Sequence, residues 1–158
     1  MRYFSFFLFF LMLTSCEYFN VKKTSSEAIL KEELQTFNWN DVDVYPSFSL
    51  CDYSITKQER QVCFQHTLTT HINDYLQKEI IVVSQDINDT LMLEFKVSKT
   101  GTLSLLKSKI DSLTINEIPN IQNLLNKSLD SLPKIYPALK RGQQVTTAFN
   151  LPIIIHVD

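Results

Sequence analysis

Hydrophobic and polar positions alternate most cleanly in the middle of the chain. Leu91, Leu93, Phe95 and Val97 are separated by Met92, Glu94 and Lys96; Ser98-Lys99-Thr100-Gly101 makes a turn; Leu103 to Ile110 alternates again with Lys107 and Lys109 outward. A period of two predicts a β-hairpin whose apolar face, Leu91 to Val97, meets a helix layer. On either side the period lengthens. Thr56 and Glu59 form a capping box for a helix running to about Gln77, with Val62, Leu68, Ile72, Tyr75 and Leu76 as its buried stripe. After the hairpin, Ile118-Pro119 puts a proline in the first turn of another helix. There Ile121, Leu124, Leu125, Leu129 and Leu132 recur at three and four until Pro133 stops it.

The last stretch returns to strand-forming residues. Pro133 and Pro137 break the helix, Arg141-Gly142 lets the chain reverse, and a long strand is expected from Gln144 to Val157, rich in β-branched and aromatic side chains. Only Pro152 interrupts it. A proline cannot donate to a ladder, so this strand either bulges there or lies at an edge. Upstream, Asp41 to Pro46 alternates as a short edge strand that Pro46 ends.

The N-terminus has a different pattern. Arg2 is followed by the apolar run Phe4 to Leu13, broken only by Ser5 and shorter than the roughly 20 residues that span a bilayer. With Leu13-Thr14-Ser15-Cys16 it resembles the bacterial lipobox, which implies cleavage before Cys16 and attachment of diacylglycerol to its thiol. Residues 1–15 are thus expected to be a lipoprotein signal peptide, residues 16–40 a tether, and residues 41–158 the folded domain. Thr24 and Glu27 form a second capping box, and Ala28, Ile29, Leu30, Leu34 and Phe37 give the tether a short amphipathic helix. Fully extended, the tether spans roughly 80 Å, so the domain stays near its leaflet.

Composition narrows the chemistry. An apolar fraction of 44% against 20% charged residues suits a chain that buries a core. A net charge of −2 argues against a nucleic-acid partner. Gly101 and Gly142 are the only glycines, too few for a phosphate cradle or a dinucleotide fingerprint. If Cys16 carries lipid, Cys51 and Cys63 remain as a pair, expected to form a disulfide in an oxidising envelope. A zinc site from Cys51, Cys63, His66 and His71 is the rival, but their spacing matches no compact ligand pattern, and the histidines point to different faces of their helix. No nucleophile elbow, zinc-protease box or catalytic carboxylate pair appears, so the chain is read as a non-enzyme without a cofactor.

Several of these pieces together resemble the C-terminal domain of TonB, in the form found in Bacteroidetes. They are Cys51 and Cys63 before a helix, the turn at Lys99-Thr100-Gly101, the helix ending Ser131-Leu132-Pro133, Tyr136-Pro137-Ala138, Lys140-Arg141-Gly142, and the closing Leu151-Pro152-Ile153. The resemblance covers Val42 to Val157 and implies an α+β fold, two helices on one face of a small antiparallel sheet. It also implies a function, pairing by strand addition with a protein segment such as that of a TonB-dependent outer-membrane transporter. Carried onto this chain, the partner-binding edge would hold Val145, Thr147, Phe149, Leu151, Ile153 and Ile155. The sequence shows no inner-membrane helix after the leader and no proline-rich spacer, and Ser84 to Asn88 stands where the family has a glycine. The expectation is therefore a stand-alone binding module on a lipid, facing the periplasm at the outer rather than the inner membrane. Self-pairing of the last strand into a homodimer, with a purely structural role, is the alternative.

Overall fold

The computed structural model describes residues 37–38, 41–52 and 56–158. The expected leader, Cys16 and the start of the tether helix at Thr24 lie outside the described residues. What is described is an α+β domain built around one four-stranded sheet. Its centre is the expected hairpin, β3 (Ile87–Val97) and β4 (Leu103–Lys109). β8 (Thr147–Val157) lies antiparallel along the whole of β3, from Val157 opposite Ile87 to Thr147 opposite Val97. β1 (Phe37–Asn38) joins β8 in parallel at Thr147 and Ala148, giving the order β1-β8-β3-β4.

Three helices appear among the described residues. The first, α1 (Lys57–Lys78), begins as the capping box predicted. The Thr56 hydroxyl accepts the Glu59 N–H at 3.1 Å, and a Glu59 carboxylate oxygen accepts the Thr56 N–H at 2.9 Å. Its buried stripe is Phe64, Leu68, Ile72 and Leu76. Val62, expected in that stripe, is instead exposed, because the core-facing line runs through Phe64 two positions on. The expected proline start of the next helix is also corrected. Ser112–Glu117 forms a helix of its own, α2, whose N-cap Asp111 accepts the Leu113 N–H at 2.8 Å. Asp89 fixes that cap, accepting the Asp111 N–H at 3.0 Å and the Thr114 hydroxyl at 2.8 Å. Pro119 then precedes Asn120, the N-cap of α3 (Ile121–Asp130), and so lies outside the helix. In α3, Ile121, Leu124 and Leu125 are buried, while Leu129 and, beyond the helix end, Leu132 pack partly buried against the core.

The short strands lie at the margin. Val44 makes one antiparallel bridge, to Leu139, and the strand expected before Pro46 forms after it, as β2 (Ser47–Phe48) against β5 (Ile135–Tyr136). Phe48 stacks on Phe64 with ring centroids 4.9 Å apart, so the buried aromatic sets where the strand begins. Cys51 and Cys63 form the expected disulfide, with Cα atoms 5.9 Å apart and a sequence separation of 12. Closing a loop of that size contributes about 3 kcal/mol by chain entropy and ties the segment after β2 to the second turn of α1.

Helices cover one face of the sheet. Leu91, Leu93, Phe95 and Val97 from β3 and Phe149, Leu151, Ile153 and Ile155 from β8 point into the core with Phe64, Leu68 and Ile72. Among the described residues no helix covers the other face, where Met92 and Ile154 are exposed.

Candidate functional site

The strand expected from Gln144 to Val157 is in fact two. β6 (Ala138–Lys140) and β7 (Gln143–Val145) form a tight hairpin, and Arg141 and Gly142 at its tip both take positive φ, 51° and 75°. Two left-handed residues in succession match the twist of a two-residue hairpin turn. The Asp43 carboxylate accepts the Arg141 N–H at 2.6 Å and braces it. The chain then breaks at Thr146 and resumes as β8.

β8 has unequal neighbours. On one side β3 pairs with every residue of it; on the other, β1 covers only Thr147 and Ala148. From Asn150 to Val157 no described strand pairs with that second side. Pro152, opposite Met92, removes one donor from this strand, which an edge position tolerates and a fully paired interior one does not. Along β8 the side chains alternate: Phe149, Leu151, Ile153 and Ile155 are buried, and Asn150, Pro152, Ile154 and His156 are exposed. Of the six residues assigned to the edge from sequence, Thr147 is buried with these four, and Val145 lies half-buried on β7 against Ala138. What these positions present outward is backbone; the side chains on the exposed face are the alternate ones.

At the far end of β8 a cleft of about 340 Å³ opens between the strand, the end of α1 and the junction of α2 with α3. Leu76, Ile118, Ile121 and Ile155 supply its apolar wall, and Glu79 is its one carboxylate. That carboxylate accepts a hydrogen bond from the Tyr75 hydroxyl, whose pKa is raised first by partial burial and then by this bond. The linker from α1 to β3 runs past the cleft as Ile80-Ile81-Val82-Val83, which sequence reading left unassigned although four branched aliphatics in a row are conspicuous there. Ile80 and Val82 are 94% and 82% exposed, while Ile81 and Val83 pack against the core.

Glu117 at the end of α2 holds this linker. It accepts the Ser84 N–H at 2.7 Å and the Ser84 hydroxyl at 2.9 Å, and the Ser84 N–H above all lowers its pKa from the ordinary glutamate value. A depressed pKa means the latch contributes fully above the unfolded glutamate value and is lost as pH falls through the lower, folded one. Exchange of the Ser84 amide should accordingly accelerate on acidification below the usual glutamate range. In Glu117→Ala it should be fast at every pH, once intrinsic exchange rates are divided out.

The histidines and cysteines weighed as metal ligands lie apart in role. His66 is exposed, His71 Nε2 lies 3.0 Å from the Ser128 carbonyl oxygen and 3.2 Å from the Ser131 hydroxyl, and both thiols are spent in the disulfide. No group of three or more His, Cys, Asp or Glu side chains is gathered for a metal among the described residues. Nor is any described helix long and apolar enough to cross a membrane. Comparison of the chain with family models, with curated proteins and with solved structures returned no match.

Proposed function

We propose that this chain is a lipid-anchored envelope module that takes up an extended segment of another protein along the free side of β8, in the manner of the TonB C-terminal domain it resembles in sequence. The observation that carries the reading is that, among the described residues, β8 is paired on one side only from Asn150 onward. Unpaired N–H and C=O groups in a row are a template for another strand, and main-chain hydrogen bonds supply the affinity. Helices over one face of an antiparallel sheet are compatible with that family's layout. Acylation of Cys16 would hold the module at the membrane, facing the periplasm, and a transporter segment is the expected partner.

The exposed alternation of β8 tells where to look. A photo-crosslinking residue placed in intact cells at Asn150, Pro152, Ile154 or His156 should give adducts to one envelope protein. The same residue at Val62, exposed on α1, should give none. Equal labelling at both places, or none at β8, would sink the reading. A Cys16→Ser chain should fail to incorporate a clickable fatty acid; retained incorporation would remove the anchor from the proposal. The same edge could serve a second copy, and a tight dimer of the isolated protein in sedimentation would favour the purely structural alternative.

A further inference from the structure

We infer that the cleft beside Ile155 is the selectivity pocket of the β8 edge, and that it takes a branched aliphatic side chain from a partner segment bearing a lysine or arginine next to it. This deepens the strand-addition reading and rests on it. The argument begins with strand geometry. Side chains of a strand added beside β8 alternate between the two faces of the sheet, and those on the helix-covered face follow the direction of Ile153 and Ile155. At the Val157 end that direction leads into the cleft, whose floor is the buried Leu76, Ile118 and Ile121 and whose accessible apolar surface comes from Ile81, Ile154 and Val157. At about 340 Å³ the cleft is at the small end of ligand sites, suited to a side chain rather than to a whole cofactor.

Two further features select the occupant. Ile80–Val83 lies outside every ladder among the described residues; Ile81 lines the cleft, while Ile80 and Val82 on either side of it are almost wholly exposed to water. A side chain entering the cleft would thus meet Ile81 of this linker as well as β8. Charge also selects. Glu79 lies in the cleft, Asp158 follows β8 with its carboxylate 2.7 Å from His156, and no lysine or arginine lines the wall. A cationic side chain beside the aliphatic one is complementary to that rim, and an acidic one is repelled. Antiparallel pairing is the slightly more stable arrangement, so the N-terminal end of the guest reaches the cleft.

The test uses the full chain in mild detergent and a short fluorescein-labelled peptide, lysine first and then isoleucine alternating with threonine, read by anisotropy. Gln77 is exposed and lines the cleft, so Gln77→Trp fills it without touching the core. It should weaken binding about tenfold or more. Serine in place of the peptide's isoleucines should do the same, and Glu79→Lys should reverse the preference for lysine over glutamate at the first position. If all peptides bind alike and Gln77→Trp changes nothing, the pocket is refuted while the edge survives. If no peptide binds at all, both readings fall. A concentration-dependent dimer dissolved by Gln77→Trp would put a second copy in the cleft and overturn the inference.

Discussion

Phe64→Ala will lower the stability of the domain by about 3–5 kcal/mol, the ordinary cost of emptying a buried phenylalanine site. Phe64 has no solvent exposure and connects three elements. It stacks on Phe48 of β2, meets Phe149 of β8 edge-on at 5.7 Å, and through Phe149 reaches Phe95 of β3, again at 5.7 Å. No single neighbour can relax into the space, since each is held by its own strand or by the disulfide close by. Against a total of about 5–15 kcal/mol this is a large share. Thermal melting should show a fall on the order of 10–20 °C. Phe64→Leu keeps most of the volume and should recover more than half of the loss; a melting curve unchanged by either substitution would contradict the packing described.

Gly101→Ala comes next, with an expected cost of about 2–5 kcal/mol from left-handed backbone and overpacking together. Gly101 has φ +84°, and a Cβ there would stand 2.1 Å from the Ile135 carbonyl oxygen, with the Ile135 carbonyl carbon at 3.2 Å. Both obstacles are backbone, so a side chain cannot swing aside to make room. Gly142 is the internal control. Its φ is +75°, but nothing lies within 4 Å of the position a Cβ would take. Gly142→Ala should therefore cost only the conformational part, about 1–2 kcal/mol. Chemical denaturation of the two variants side by side reads the difference, and equal losses would mean that the β3–β4 turn does not rest on Ile135.

Gly101 also marks how far local pattern reaches. That a turn stood there was readable from Ser98 to Gly101; that the turn packs beneath a carbonyl 34 positions on was not, because nothing local encodes the approach. The hairpin itself was legible because its inner face repeats at two. Even so, the stretch Leu103 to Lys109 changes phase within itself. Leu105 stands opposite Phe95 on the buried side, Lys107 stands opposite Glu94 on the open side, and a bulge at Leu106 absorbs the slip. The capping box at Thr56 was legible for a different reason, since both of its hydrogen bonds are made within three residues.

The second helix was missed because its signals are polar and distant. Leu113 and Ile115 are exposed, so Ser112–Glu117 has no apolar stripe to announce it, and its cap is anchored by Asp89 from another strand. The candidate site was half legible. Strand propensity and Pro152 pointed to β8 as an edge, whereas the break at Thr146 and the inward aim of Phe149 to Ile155 depend on the β6–β7 hairpin and the helix layer. The cleft at Ile155 depends on four separate segments and had no local signature beyond the aliphatic run at Ile80.

The place of β8 in the sheet has a consequence for how the protein is made. Phe149, Leu151, Ile153 and Ile155 come after every other core-forming strand in chain order, yet they complete the core against β3, which without them becomes a border strand with its apolar face bare. A nascent chain therefore cannot close this core until β8 has been synthesised. Any product truncated before Thr147 remains open to proteases.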